Sequence, residues 1–226
     1  MTLRKPPILQ ASAAIFDVDG TLVDSVDFHA EAWRRAFSAF GFDFDLAKVR
    51  SQIGKGGDQL LPVFLDADAQ EKQGKKIEAY RADLFEREYF PRVVGFPKVP
   101  ELFKFLIDAG KAIALGSSAK AADLKVYKKA AGIEGMTMVE TSSDDAQRSK
   151  PHPDIFVAAL ERLRLPSEDV IVVGDTPYDV EAANKAGMKT TGLLCGGFSE
   201  ESLREAGAID IYRDPEHLLA ILKMAA

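Results

Sequence analysis

Short, fully apolar runs alternate along this chain with longer segments in which apolar residues recur every three or four positions. Ala13-Ala14-Ile15-Phe16, Ala112-Ile113-Ala114-Leu115, Val170-Ile171-Val172-Val173 and Thr190-Thr191-Gly192-Leu193-Leu194 are runs of the first kind and predict buried strands. Helical spacing lies between them. Glu101 to Ala109 presents Leu102, Phe105 and Leu106 and stops at Gly110. Asp154 to Arg164 presents Ile155, Ala158, Ala159 and Leu163, and Asp179 to Ala186 stops at Gly187. Glycine just past the last helical residue is a stop signal. Strand–helix–strand alternation predicts an α/β fold, a Rossmann-like doubly wound parallel sheet with helices on both faces.

One stretch departs from this rhythm. From about Ser25 to Phe90 no strand pattern appears. Val26, Ala30, Trp33, Phe37 and Phe40 recur at helical spacing and end at Gly41. Leu60, Leu61, Phe64 and Leu65 predict a second helix, and Ile77, Tyr80, Leu84 and Phe85 or Glu88 stripe a third, charged one. This predicts an all-helical insert after the first strand. Residues Pro91 to Pro100 hold three prolines and a glycine and return the chain to the sheet. The expected division is a core of residues 1–24 and 93–226 and a helical unit of residues 25–92. A chain of 226 residues is long enough for a core with a smaller insert. Pro62 and Pro166 read as helix-start or loop devices, and Trp33, the methionines and Cys195 as packing residues.

Composition narrows the function classes. Hydrophobic residues at 46% and charged residues at 28% exclude a wholly disordered chain. The net charge of −6 argues against a protein that coats nucleic acid or an anionic membrane. No apolar run approaches the roughly 20 residues that span a bilayer. Arg4 and Lys5 precede Pro6-Pro7-Ile8-Leu9, and Ala11-Ser12-Ala13 has the form of a cleavage site. The apolar stretch before it is shorter than the roughly 7–15 residues of a signal-peptide core. The segment therefore reads as a short tail leading into the first strand. The single cysteine, Cys195, precludes an intrachain disulfide, and with no targeting signal the cytoplasm is the expected location.

In an open parallel sheet, ligands bind beyond the carboxyl ends of the strands. Asp17-Val18-Asp19-Gly20-Thr21 follows the first strand, and Gly116-Ser117-Ser118 the second. Gly174-Asp175-Thr176-Pro177-Tyr178-Asp179 follows the strand ending at Val173, and Lys150 lies just before a helix. Acids, hydroxyls and a lysine thus converge on one crevice. A calcium loop is excluded, because it needs an acid or amide two residues before Asp17, where Ile15 stands.

These residues resemble a known family. Phe16-Asp17-Val18-Asp19-Gly20-Thr21-Leu22-Val23-Asp24-Ser25 looks like the first motif of the haloacid dehalogenase superfamily. Ser117 with Ser118 matches the second motif, Lys150 the third, and Gly174-Asp175 with Asp179 the fourth, in the right order and over nearly the whole chain. The insert resembles the family's type 1 alpha-helical cap. The resemblance implies a phosphatase with Asp17 as nucleophile, Asp19 as general acid–base, and Mg²⁺ held by Asp17, the Asp19 backbone carbonyl, Asp175 and Asp179.

The chemistry agrees with that implication. A carboxylate that attacks a phosphoryl group forms an aspartyl-phosphate and splits one displacement into two. Asp19 is placed to protonate the leaving oxygen and then to deprotonate water. Three ionised acids and a doubly charged phosphate outweigh Mg²⁺ and Lys150, so further donors are required. Backbone amides after Asp17, the Ser117 hydroxyl and the Ser118 amide are the natural ones. Asp175 is the expected direct metal ligand. Asp179 acts through water or holds Lys150.

The Gly54-Lys55-Gly56-Gly57-Asp58 segment resembles the cap loop that faces the active site, which makes Lys55 a candidate substrate contact. His29, twelve residues after Asp17, is a second candidate, and His152 reads as structural. The expected substrate is a small phosphorylated metabolite, a sugar phosphate or a phosphoglycolate-like acid, and the expected assembly is a monomer or weak homodimer. Three alternatives stand beside the phosphatase. A phosphomutase resembling β-phosphoglucomutase shares the acids and suits His29, but Gly57 aligns where that enzyme has an arginine. Dehalogenation has no use for Asp19. A non-enzymatic phospho-aspartate signalling module has its acceptor after a middle strand and lacks a large insert.

Overall fold

The computed structural model describes residues 5–226. Among them run strands β1 (Ala13–Phe16), β2 (Val23–Asp24), β3 (Val94–Gly95), β4 (Ala112–Gly116), β5 (Val139–Thr141), β6 (Val170–Gly174), β7 (Lys189–Leu193) and β8 (Asp210–Tyr212). The α-helices are α1 (Pro7–Gln10), α2 (Val26–Ala39), α3 (Leu46–Arg50), α4 (Gly57–Phe64), α5 (Ala67–Ala69), α6 (Lys75–Leu84), α7 (Val99–Asp108), α8 (Ala121–Ala131), α9 (Asp154–Leu163), α10 (Pro177–Lys185), α11 (Glu200–Ala206) and α12 (Pro215–Ala225). π-Helical turns at Gln70–Gly74 and Phe85–Tyr89 flank α6.

Six strands form one parallel sheet in the order β5-β4-β1-β6-β7-β8. β1 and β6 lie at its centre and are buried along their whole lengths, which is why their sequences are continuous apolar runs rather than alternating ones. Successive side chains point to opposite faces. Ile15 and Val172 pack with Ala114, Phe156 and Ala182 on one side of the sheet. Phe16 and Val173 pack with Phe103, Leu115 and Leu222 on the other. Two helical layers therefore pin the sheet, and the carboxyl ends of β4, β1 and β6 emerge side by side.

β2 and β3 pair antiparallel, with Val23 opposite Gly95 and Asp24 opposite Val94. The helical excursion leaves the sheet layer and returns to it at this short pair. Its own core gathers Val26, Trp33, Phe37, Leu60, Leu61 and Ile77. Phe37 anchors that core through ring contacts with Trp33, Phe44 and Phe64 at centroid distances of 5.6, 5.0 and 5.1 Å. The end of the excursion belongs elsewhere: Leu84, Phe85 and Tyr89 pack into the main core.

Several sequence expectations need correction. The segment before β1 is no plain tail, because Pro7–Gln10 forms a helical turn that buries Ile8 and Leu9 in the main core. Arg4 lies outside the described residues. Pro62 sits inside α4 rather than at its start, on the exposed side of the helix. Tyr80 is 40% exposed and does not join the buried stripe of α6. Met138 and Met224 are 72% and 68% exposed, so not every methionine serves packing. The strands β5 and β8 went unpredicted because each is three residues long and only partly buried, and so lacks an apolar run. No helix among the described residues is long and apolar enough to cross a membrane.

Candidate active site

Asp17 is the first residue beyond β1, and its backbone N–H still bonds to Val173 O of the neighbouring strand at 2.9 Å. The next turn reverses sharply through Gly20, whose φ of +80° is the left-handed conformation that glycine adopts without a Cβ penalty. A Cβ there would also strike the carboxylate of Asp175. The turn thus fixes Asp17 at the carboxyl end of the central strand and leaves room for the next strand's acid.

Lys150 reaches Asp17 from beneath. Its Nζ lies 2.5 Å from Asp17 Oδ1, donates to Gly116 O at 3.0 Å, and stands 2.7 Å from Asp179 Oδ1. Lys150 is 1% exposed. Burial opposes its charge, but Asp17 and Asp179 outweigh that and hold the ammonium protonated far above the usual lysine range. Asp179 is itself held by Thr176, the first residue before α10. Thr176 N–H and Oγ1 donate to Asp179 Oδ2 at 3.1 and 2.7 Å, and Asp179 N–H donates back to Thr176 Oγ1 at 3.1 Å. This reciprocal cap lets an acid at the third helical position both start the helix and reach Lys150.

Asp175 follows β6 and is fully buried. Thr21 Oγ1 donates to its Oδ1 at 2.7 Å, and its Oδ2 has no partner. Burial, followed by the charges of Asp17 and Asp179, pushes its carboxyl well above the usual range. Burial likewise pushes Asp17 up to about 7, with Lys150 opposing and Asp179 adding to the rise. Carboxylate oxygens of Asp17, Asp175 and Asp179 all lie within 4.8 Å of one another. Crowded, desolvated carboxylates with one orphaned oxygen fit a hard divalent cation. A Cβ on Gly196 would overlap that same orphaned Oδ2, so glycine there keeps the space clear.

Asp19 faces a different set. Ser25 Oγ donates to its Oδ1 at 2.6 Å, and His29 Nε2 lies 2.9 Å from the same oxygen. Tyr127 OH sits 3.1 Å from His29 Nε2. Burial favours the protonated acid, but His29 and the Ser25 and Tyr127 hydroxyls hold Asp19 below the usual carboxylate range. The His29 ring stacks on Phe85 at a centroid distance of 4.0 Å, which fixes its orientation. Two carboxylates two residues apart thus have opposite tendencies before any cation binds, Asp17 toward the protonated form and Asp19 toward the ionised form.

A cavity of about 660 Å³ opens above these groups. Asp17, Asp19, His29, Lys55 and Ser118 line it. Ser117 does not: it is fully buried, and its Oγ accepts from Ala119 N–H at 3.0 Å. Lys55 Nζ donates to Gln52 Oε1 at 2.6 Å and lies 4.6 Å from the Tyr178 ring centroid. Burial lowers its pKa. The helical excursion covers the cavity by direct contacts with the sheet layer. Tyr178 OH donates to Ser51 O at 2.6 Å, Arg50 Nη2 to Gly196 O at 3.1 Å, and Ser149 N–H to Asp58 Oδ2 at 3.1 Å.

Sequence reasoning missed Thr21, Tyr127, Glu78, Arg81 and Asp123. Thr21 stands within the first motif, and its hydroxyl beside two acids was the available signal. Glu78 and Arg81 share one face of α6 at a spacing of three, which the apolar stripe concealed. Tyr127 and Asp123 sit on α8, and only the fold brings them to the cavity.

Comparison with known proteins follows the same lines. The chain is 28% identical over 216 residues to a phosphorylated carbohydrates phosphatase of Thermotoga maritima, covering 93% of this chain and 98% of that one. It is 28% identical to phosphoglycolate phosphatase of Escherichia coli K12, covering 92% of this chain and 90% of that one. A hydrolase from Pseudomonas syringae superimposes with a TM-score of 0.88 at 28% identity, covering 95% of this chain and 99% of that one. The profile of the haloacid dehalogenase-like hydrolases matches residues 14–193, and the chain belongs to that family.

Proposed function

We propose that this chain is a Mg²⁺-dependent phosphatase that hydrolyses a small phosphorylated metabolite, a sugar phosphate or a phosphoglycolate-like acid, through an aspartyl-phosphate on Asp17. The observation that carries this reading is the buried Asp17–Lys150–Asp179 set beside Asp175, whose Oδ2 has no partner, with Asp17 presented to a covered cavity. The proposed division is a core of residues 1–24 and 93–226 and a cap of residues 25–92.

In the first step a carboxylate oxygen of Asp17 attacks phosphorus, the bond to the leaving oxygen breaks, and Asp19 gives that oxygen a proton. In the second, Asp19 takes a proton from water, the water oxygen attacks phosphorus, and the Asp17 carboxylate leaves as inorganic phosphate forms. His29, 2.9 Å from Asp19, holds that residue's position and shares with it the proton that goes to the leaving oxygen, since the Asp19 carboxyl alone is held toward its ionised form. Lys150 keeps Asp17 aligned and offsets the negative charge that gathers during attack. The Ser118 hydroxyl and backbone amides after Asp17 supply further donors. Asp17, the Asp19 carbonyl, Asp175 and Asp179 would hold Mg²⁺, with Asp179 acting chiefly through Lys150. Bound there, the ion neutralises phosphoryl oxygens and lowers the repulsion between anion and anion. The cap excludes bulk water and must reopen for release. With one partly buried cysteine, the chain suits a reducing cytoplasm.

The phosphomutase reading lacks a free phosphate clamp in the Gly54–Asp58 loop. Lys55 is engaged by Gln52, and any side chain at position 57 would run into the Glu78 carboxylate. The test is phosphate release from hexose, pentose and polyol phosphates, phosphoglycolate and nucleotides, with Mg²⁺ and with EDTA, using Asp17→Asn as the blank. Mg²⁺-dependent release that is absent in the blank supports the proposal. Release that persists in the blank, or none from any ester, contradicts it.

A further inference from the structure

Beyond Asp17 and Asp19, the cavity wall carries three partly buried charged side chains with no direct partner. Glu78 and Arg81 project from α6 and Asp123 from the first turn of α8. Among the described residues, none of the three makes a side-chain hydrogen bond or an ion pair. Arg81 is braced on one face by Trp33, 5.1 Å from guanidinium carbon to ring centroid, and its Nε is buried with no partner. The neighbouring charges are engaged or exposed: Lys55 bonds with Gln52, Asp58 with Ser149 and Gln59, and Glu86 and Lys120 face solvent. A sequestered donor without a partner is costly, so Arg81 Nε, with the two unpaired carboxylates around the same space, makes a set of groups a ligand can satisfy.

The chemistry of the trio selects the ligand. Two carboxylates accept hydrogen bonds, and a guanidinium donates them. A hydroxyl does both and satisfies either kind. A second anion satisfies only Arg81 and meets a wall in which acids outnumber bases: Asp58, Glu78, Glu86 and Asp123 against Lys55, Arg81 and Lys120. The cavity of about 660 Å³ also exceeds what a two-carbon acid fills.

We propose that Glu78, Arg81 and Asp123 form a hydroxyl-binding subsite that selects a phosphate monoester of an uncharged polyhydroxyl compound, a sugar or polyol, over an ester carrying a second anion. This inference rests on the phosphatase reading and narrows it. Glu78 and Asp123 accept from hydroxyls along the leaving group, and Arg81 donates to their oxygens, while the phosphoryl end lies at Asp17.

The test is equilibrium binding to the Asp17→Asn chain with Mg²⁺ present, so that turnover does not enter. Sorbitol 6-phosphate is expected to bind about tenfold tighter than 2-phosphoglycolate, the scale of discrimination that placed hydrogen-bonding groups supply. Glu78→Ala and Asp123→Ala, each added to that chain, are expected to bring the ratio toward one. Thermal unfolding checks that each remains folded, and Glu78→Gln serves where either does not. Equal or tighter binding of 2-phosphoglycolate, a ratio unchanged in the variants, or binding of neither ester overturns the subsite. Loss of the phosphatase reading shows separately, as absence of phosphate release from the native chain.

Discussion

Lys150 Nζ lies 2.5 Å from Asp17 Oδ1 in a pocket where the lysine is 1% exposed. The pair is stabilised as a unit with Asp179, and removing the cation strands two carboxylates in the interior. Lys150→Met is therefore expected to destabilise the fold by about 3–5 kcal/mol, which lowers the melting temperature by roughly 10 °C in a chain of this size. Phosphate release is expected to fall at least about a hundredfold. Thermal denaturation and a release assay on the same preparation check both. A variant that melts with the native chain contradicts the charge-pairing account.

Stability without metal is expected to fall as pH rises. The Asp17 carboxyl moves from 3.8 to about 7 on folding, and Asp175 moves in the same direction. An acid whose folded pKa is raised binds more protons folded than unfolded. Its contribution is complete below the unfolded value and is lost as pH climbs through the folded one. Asp19, held low, acts in the opposite sense and only at more acid pH. In EDTA the chain should melt about 5 °C lower at pH 7.5 than at pH 5.5, and Mg²⁺ should close that gap. An unchanged melting point across this range, or no effect of Mg²⁺, contradicts the acid cluster's role.

Gly196 tests the cation's place directly. Its missing Cβ leaves the space next to Asp175 Oδ2, and alanine would push that carboxylate aside. Gly196→Ala is expected to raise the Mg²⁺ concentration for half-maximal activity about tenfold or more. A Mg²⁺ titration that superimposes on the native curve places the cation elsewhere.

Asp19 has a signature that a merely structural acid lacks. Asp19→Asn is expected to slow hydrolysis of an alkyl phosphate about 10²–10⁴-fold. The first step with p-nitrophenyl phosphate, whose leaving group needs little protonation, should fall much less. Equal losses with the two esters would remove Asp19 from the acid's role.

The sheet and the acids were legible because both depend on local sequence. β1 and β6 are buried on both faces, so their runs are continuous and their ends visible. Asp17 and Asp175 directly follow those strands and Asp19 comes two residues after Asp17, so chain order alone placed them. The edge strands β5 and β8 escaped because partial burial leaves no pattern. Ser117 was expected to offer its hydroxyl, yet it lies buried behind the cavity lining while Ser118 faces in, a one-residue distinction that sequence spacing does not resolve. The Tyr127 contact to His29 joins residues 98 positions apart, and Glu78, Arg81 and Asp123 meet only after α6 folds over α8. Such convergence is a product of packing, and the sequence carries no local mark of it.

The most direct test of the central claim is the covalent state of Asp17 during turnover. The chain, mixed with a substrate ester and Mg²⁺, is quenched in acid within the first turnovers, and the peptide that carries Asp17 is weighed. The account predicts a fraction of that peptide heavier by one phosphoryl group, sensitive to hydroxylamine and absent from Asp17→Asn. Full turnover with no phosphoryl group on Asp17 at any quench time, or with one on another residue, would contradict it.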